Sequence, residues 1–122
     1  MAKTVLTVDD SASMRQLIKM TLGGAGFAVV EASDGAEGLE KARAAPVDLI
    51  VTDLNMPRMD GISLIRELRK LSSYRGVPIL LLTTESDDER KKEARGAGAT
   101  GWITKPFGQD QLLGVVKKVL GA

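Results

Sequence analysis

Three short apolar runs limit what this chain can fold into more than any other feature of its sequence. They are the segments Val5 to Val8, Leu49 to Val51 and Ile79 to Leu82. Their hydrophobicity is continuous and does not alternate, which is typical of strands buried on both faces, as in the parallel sheet of an α/β protein. Two weaker segments, Phe27 to Val30 and Trp102-Ile103, predict two further strands.

Amphipathic segments lie between these strands and predict helices. The first helix is expected to begin at a capping box formed by Ser13 and Gln16, and the second near Asp34, ending before Pro46. The fourth, from about Asp87 to Gly98, offers only alanines as apolar anchors, so we expect a loosely held helix. Helical spacing of apolar residues predicts the third and fifth helices, with Ile62, Ile65, Leu68 and Leu71 in the third, and Leu112, Leu113, Val116, Val119 and Leu120 in the fifth.

The alternation of five strands with five helices predicts an α/β fold. Right-handed βαβ crossovers place helices on both faces of a parallel sheet, which gives a three-layer sandwich. A length of 122 residues with 43% hydrophobic content suits one domain spanning residues 1–122. In open sheets of this kind ligands bind beyond the carboxyl ends of the strands, so the residues that follow the strands are the candidates for a site.

The composition excludes several kinds of chemistry. The chain has no cysteine and no histidine, which excludes disulfides, catalysis by thiolate or imidazole, and the common zinc sites. The formal net charge is +1, so we expect no general attraction to nucleic acid or to anionic membranes. No apolar run approaches the ~20 residues of a membrane span. We therefore expect a soluble, cytoplasmic protein that uses hard-ion chemistry on oxygen ligands.

Polar side chains follow four of the predicted strands, at one edge of the sheet. Asp9 and Asp10 follow the first strand, Asp53 the third, Thr83 the fourth and Lys105 the fifth. Three carboxylates so close together repel one another, and Mg²⁺ is a natural cation to stabilise them. Asp53 would then be a carboxylate nucleophile that forms an acyl phosphate. The metal, the Lys105 ammonium and the Thr83 hydroxyl would neutralise the transferred group.

Simpler interpretations exist for each of these residues taken alone. Asp9 and Asp10 suit a helix N-terminus, where the helix dipole favours negative charge. Thr83 suits the end of a strand, and Lys105 suits a solvated turn. Capping does not explain why a third strand also ends in Asp53, so the complete set favours phosphoryl transfer.

The same residues resemble those of the receiver domains of bacterial response regulators, in particular the single-domain chemotaxis type. The matching motifs are Val8-Asp9-Asp10-Ser11, Asp53 with Met56-Pro57 and Asp60-Gly61, Thr83-Thr84-Glu85, and Lys105-Pro106-Phe107. The resemblance covers the whole chain. It implies a flavodoxin-like (βα)5 fold in which the parallel strands have the order 2-1-3-4-5.

The resemblance also implies what the acidic residues do. Asp53 would accept a phosphoryl group from a phosphohistidine on a partner histidine kinase. Asp10, Asp53 and the backbone carbonyl of Asn55 would bind Mg²⁺ directly, with Asp9 acting largely through water. The chain would thus be a phosphoacceptor that assists its own phosphorylation and dephosphorylation, and not an enzyme.

Further roles follow from the same resemblance. Thr83 and Lys105 would hold the phosphoryl group, and the side chains of Asn55 and Glu85 would tune how fast it is lost. Lys105-Pro106 is a candidate for a cis peptide bond, because the preference for trans is weaker before proline than before other residues.

Signal output in this family involves an aromatic residue three positions before the lysine, which here is Trp102. The basic residues expected near it are Lys91, Lys92, Arg95, Lys117 and Lys118. An aromatic side chain among basic residues suits an acidic or amphipathic segment of a protein partner. The alternatives are a plain hydrophobic contact for Trp102 and solvated charges around it.

We expect a monomer whose downstream partner is a protein, such as the flagellar motor switch in chemotaxis. A relay or phosphate sink in a pathway unrelated to motility remains the alternative.

Other functions fit the sequence less well. An aspartyl-phosphate hydrolase usually carries Asp-x-Asp on its first strand together with a substrate cap. A flavin-binding module needs a hydroxyl- and glycine-rich phosphate loop, and a non-phosphorylated adaptor has no need of the acidic set. Gly96, Gly98 and Gly101 match the spacing of a dinucleotide fingerprint, but they close a predicted helix and enter a strand, which is the opposite context.

Overall fold

A computed structural model describes residues 2–84 and 88–121 of the chain. The strands are β1 Thr4–Val8, β2 Ala28–Ala32, β3 Leu49–Asp53, β4 Ile79–Thr83 and β5 Gly101–Thr104. The helices are α1 Ala12–Gly24, α2 Gly35–Ala44, α3 Gly61–Lys70, α4 Asp88–Ala97 and α5 Gln109–Leu120, and a short 3-10 turn spans Ser72–Tyr74. Within the described ranges, no helix is long and apolar enough to cross a membrane.

The strands form a single parallel sheet in the order β2-β1-β3-β4-β5. This confirms the predicted α/β fold and its strand order. In the register of the sheet, Val8 pairs with Thr52 and Asp53 pairs with Leu82. The carboxyl ends of β1, β3 and β4 therefore meet at the same edge, as the sequence predicted.

Two apolar layers cover the sheet, one on each face. Leu6 and Ile50 point towards α2 and α3, whereas Val5 and Val51 point towards α1 and α5. The central strands β3 and β4 are buried along their whole length. Continuous apolar runs are required there because helices cover both faces.

The first helix begins two residues earlier than expected, so the predicted Ser13-Gln16 capping box is wrong. Ser11 is the N-cap, and its hydroxyl accepts a hydrogen bond from the Met14 N–H at 3.2 Å. The Ser11 N–H in turn donates to the Asp9 carboxylate at 2.9 Å, which turns the chain into the helix directly after β1. At α2 the prediction holds, because Asp34 caps the helix through the Glu37 N–H at 2.8 Å.

Helix α4 has little apolar anchorage, as its composition predicted, and its buried residue is Ala94. Sequence reasoning did not find the contact that holds its far end. The Arg69 guanidinium donates to the Gly98 carbonyl at 2.8 and 3.0 Å and to the Val77 carbonyl at 2.7 Å, and it also reaches the Tyr74 carbonyl. These bonds tie the end of α3 to the turn that follows α4.

Candidate phosphoryl-transfer and metal site

Three carboxylates converge at the carboxyl edge of the sheet. Oxygen atoms of Asp9, Asp10 and Asp53 lie within 4.8 Å of one another. Asp9 is 1% exposed and the Asp53 side chain 13%, whereas Asp10 is open to solvent. The cluster is therefore buried on the side of the sheet and open on the side of Asp10, so a ligand can enter from solvent.

Asp9 occupies the most enclosed position of the cluster. Burial raises the pKa of its carboxyl group, and the neighbouring charge of Asp53 acts in the same direction, against the hydrogen bond from the Ser11 N–H. Among the described residues, Asp9 Oδ2 accepts no hydrogen bond, and the Lys105 ammonium lies 3.6 Å away. A buried carboxylate oxygen needs a partner, and a cation would supply one.

The donor set fits a hard divalent cation. Mg²⁺ binds carboxylate and carbonyl oxygens and usually keeps several waters, which requires an open side such as the one at Asp10. Three carboxylates and one ammonium leave a formal negative charge that a divalent cation balances. The residues present thus meet the requirements of a magnesium site.

Lys105 reaches the cluster from the end of β5. Its ammonium donates to Asp53 Oδ1 at 2.9 Å, and its side chain is only 17% exposed. Its backbone N–H donates to the Thr83 carbonyl at 2.8 Å, which fixes the start of the loop against β4. The Lys105-Pro106 peptide bond is cis, as hypothesised. The structure therefore brings Lys105 into direct contact with the predicted phosphoacceptor.

Thr83 closes β4 one residue beyond Leu82, the partner of Asp53 in the sheet. It is 3% exposed, whereas Thr84 is exposed. This places Thr83 at the same edge as the acidic cluster. Glu85, the expected tuning residue on this side, lies outside the described residues.

The loop between β3 and α3 begins directly after Asp53, a member of the acidic cluster. Asn55, two residues beyond Asp53, is exposed. Gly61 closes the loop by donating its N–H to the Leu54 carbonyl at 2.8 Å. A Cβ at Gly61 would lie 2.2 Å from the Asp53 carbonyl oxygen, so only glycine permits this approach. Asp60 caps α3 by accepting a hydrogen bond from the Ser63 N–H at 2.8 Å, so it is a helix cap and not a member of the acidic cluster.

One pair of residues near the site was not predicted. Asp34 was expected only to start α2, but it also binds the Arg58 guanidinium with two bonds of 3.0 Å. The N–H of Glu37 and then Arg58 hold the pKa of Asp34 below its usual value. The two residues are 24 positions apart, so no local pattern in the sequence indicates the contact.

Trp102 on β5 faces the basic residues of α4. The Lys91 ammonium lies 5.4 Å from the centroid of the indole ring, and the Arg95 guanidinium carbon lies 5.0 Å from it. These distances are typical of cation–π contacts. A shallow depression of about 240 Å³ is lined by Asp88, Lys91, Lys92, Arg95 and Trp102. Lys117 and Lys118, also expected nearby, are exposed on α5.

Comparisons with known proteins agree with this geometry. Residues 5–117 match the family model described as the response regulator receiver domain. The chain is 40% identical over 119 residues to chemotaxis protein CheY1 of Helicobacter pylori, covering 96% of each protein.

The chain is also similar to solved structures of other proteins. Chemotaxis response regulator CheY4 of Vibrio cholerae superposes with a TM-score of 0.94 at 45% identity, covering 98% of this chain and 99% of that one. The receiver domain of sensor histidine kinase PA1611 from Pseudomonas aeruginosa, described with a magnesium ion coordinated in its active site cleft, gives a TM-score of 0.92 at 27% identity over the full length of both chains. With a family match over nearly all of its length and the acidic site at the edge of its sheet, the chain belongs to the response regulator receiver domains.

Proposed function

We propose that this receiver domain is a phosphorylation switch of a two-component pathway. Asp53 accepts the phosphoryl group of a phosphohistidine on a histidine kinase, and the modified domain signals to a downstream protein through its surface. The observation that carries the proposal is the position of Asp53 beside Asp9, Asp10 and Lys105, the last at 2.9 Å. This arrangement combines a carboxylate nucleophile with the charges that phosphoryl transfer requires.

Magnesium is the proposed cofactor. Asp10, Asp53 and the Asn55 backbone carbonyl would hold it, with Asp9 contributing largely through water. When bound, the ion would neutralise the carboxylates and the oxygens of the incoming group. The magnesium described in the cleft of the PA1611 receiver domain supports this choice.

In the proposed reaction, a carboxylate oxygen of Asp53 forms a bond to phosphorus while the bond between phosphorus and the donor imidazole nitrogen breaks. The imidazole leaves with the electron pair and takes a proton from solvent. No general base is needed, because an aspartate carboxylate is ionised near neutral pH. Lys105 and Thr83 would hold the equatorial oxygens at the edge of β4 and β5.

The acyl phosphate is later lost to water, which resets the switch. Asn55 and Glu85 are the proposed tuning residues for this step. On this proposal the domain assists its own phosphorylation and dephosphorylation without acting as an enzyme.

A chemotaxis pathway, operating in the cytoplasm with a monomeric protein, is the favoured setting. The similarity to CheY1 and CheY4 over nearly the whole chain supports it. The flagellar motor switch is then the proposed downstream partner. A relay or phosphate sink in another pathway would use the same site with a different partner.

The test is to incubate the protein with Mg²⁺ and acetyl phosphate and to measure its intact mass, while Trp102, the single tryptophan, reports conformational change by fluorescence. We expect the mass of one added phosphoryl group and a fluorescence change, both requiring Mg²⁺. Asp53→Asn should show neither, because an amide is a poor nucleophile. An identical response from that variant would overturn the proposal.

A further inference from the structure

The loop between β3 and α3 contains a residue in a strained conformation. Among the described residues other than glycine, Arg58 alone has a positive φ, of 67°. Side chains with a Cβ rarely adopt this left-handed conformation, and they keep it only where surrounding contacts hold it. A contact must therefore stabilise Arg58 in place.

Asp34 provides that contact. Arg58 Nε lies 3.0 Å from Asp34 Oδ2, and Nη2 lies 2.8 Å from Oδ2 and 3.0 Å from Oδ1, so the guanidinium contacts both carboxylate oxygens. The Asp34 side chain is 11% exposed and is already oriented by the Glu37 N–H. Although Arg58 is itself largely exposed, it meets a fixed acceptor and not a mobile surface carboxylate.

The N-terminus of α2 also packs against the same loop. A Cβ at Gly35 would lie 2.3 Å from the Met59 carbonyl oxygen, so the backbones of α2 and the loop are in close contact. Within the loop, the Met59 N–H donates to the Pro57 carbonyl at 2.7 Å. The Arg58–Asp34 pair thus fastens the crest of the loop to α2, between Asn55 on one side and Gly61 on the other.

We propose that Arg58 and Asp34 form a clamp that positions the Asn55 backbone carbonyl for the metal. Asn55 stands three residues before Arg58 and is exposed, so the loop conformation decides where its carbonyl points. The inference rests on the proposed function, since it concerns the magnesium site of that reaction. Arg58 touches neither the metal nor the phosphoryl group and acts as a positioning residue.

The direction in which Mg²⁺ affinity changes when Arg58 is replaced distinguishes the positioning role from a purely electrostatic effect. Removing a positive charge near an acidic cluster should strengthen Mg²⁺ binding if charge alone mattered. Releasing the loop should instead weaken Mg²⁺ binding, because residues that orient metal ligands typically contribute about 10-fold or more to metal affinity. Glycine tolerates a positive φ, so Arg58→Gly removes the clamp and the strain together.

The experiment measures Mg²⁺ affinity by isothermal titration calorimetry and thermal stability by circular dichroism on the same samples. We expect Arg58→Gly and Asp34→Asn each to weaken Mg²⁺ binding by about 10-fold, and the double variant to weaken it by little more than either. Arg58→Gly should do so without a matching loss of thermal stability. Arg75→Gly, which removes an exposed arginine of the loop before β4, is the matched control and should bind Mg²⁺ normally.

Two outcomes would count against these ideas, and they are distinguishable. Unchanged or tighter Mg²⁺ binding by Arg58→Gly, with normal binding by the parent protein, would overturn the clamp alone. A parent protein that binds no Mg²⁺ at millimolar concentrations would overturn the proposed function, and the clamp with it.

Discussion

Lys105 and Asp53 form an ion pair of 2.9 Å at the edge of the sheet, although they are 52 residues apart in the chain. The same ammonium lies 3.6 Å from Asp9. In the unphosphorylated protein Lys105 therefore balances part of the charge that the metal would balance. In the proposed reaction, this position would let Lys105 attract the oxygens of a phosphoryl group on Asp53.

Lys105→Met should move two measurable quantities in opposite directions. Mg²⁺ should bind several-fold more tightly, because a competing cation has been removed. Phosphorylation by acetyl phosphate should slow by about 100-fold, the usual cost of losing one group that stabilises the transferred charge. Calorimetry and a mass-spectrometric time course measure the two effects, with Lys105→Arg as a charge-preserving control. An unchanged rate for Lys105→Met would contradict the assigned role.

Gly61→Ala should destabilise the fold, because its Cβ would meet the Asp53 carbonyl at 2.2 Å and backbone atoms cannot move aside freely. We expect a loss of about 3 kcal/mol in the free energy of unfolding. Gly114→Ala is the matched control, since a Cβ there meets nothing within 4 Å and the residue lies inside α5. The free energy of unfolding of Gly114→Ala should be about 1 kcal/mol higher than that of the parent protein. Urea denaturation of both variants checks the contrast in sign.

Tyr74 should make stability depend on alkaline pH. Its hydroxyl donates to the Ala42 carbonyl at 2.5 Å, and burial raises its pKa above the ordinary value of 10.0. The folded state thus holds this proton more tightly than the unfolded state. The resulting stability is complete below pH 10.0 and is lost as the pH rises through the higher folded pKa.

Tyr74 is the only tyrosine, so near-ultraviolet absorbance of tyrosinate follows its titration directly. We expect a midpoint above that of a model peptide, coinciding with the loss of helical circular dichroism. Tyr74→Phe should cost about 1 kcal/mol near neutral pH, because the Ala42 carbonyl loses its donor. The stability of this variant should also fall less steeply above pH 10.0. A midpoint at the model value would contradict the prediction.

Lys92→Glu should weaken the binding of the downstream partner by roughly 10-fold while leaving phosphorylation unchanged. Lys92 is exposed and lines the depression beside Trp102, and it is not one of the residues that contact the acidic cluster in the part of the chain that the structure describes. Reversing its charge should repel an acidic segment seated there. The measurement compares partner affinity and acetyl phosphate kinetics for this variant and for Lys3→Glu, a control on an exposed residue before β1. Equal affinity of the two variants would remove Lys92 from the partner surface.

The strand ends could be predicted because each depends on a local signal. The apolar runs that end at Val8, Val51 and Leu82 mark strands buried on both faces, and the parallel arrangement then brings Asp9 and Asp53 to one edge. The start of α1 was missed because Ser11 and Ser13 are both good caps. In the structure Ser11 is the cap, and its N–H is bound to the Asp9 carboxylate, a contact that the sequence pattern does not indicate.

Long-range contacts of arginine side chains could not be predicted in this way. Arg58 reaches Asp34 across 24 positions, and Arg69 reaches Gly98 across 29. Such contacts produce no periodic pattern in the sequence. The local sequence around an arginine in a loop or near the end of a helix is the same whether the side chain binds a distant residue or faces solvent. These arginine contacts become visible only in the three-dimensional structure.

Helix α4 contributes little more than Ala94 to the buried core, and this has a consequence for how such proteins diverge. Most of its outward positions can change without disturbing the packing of the sheet or the chemistry at Asp53. Natural variation can therefore replace the side chains around Trp102 while the acidic site at Asp53 is preserved. Receiver domains with the same proposed phosphorylation site could in this way bind different downstream partners.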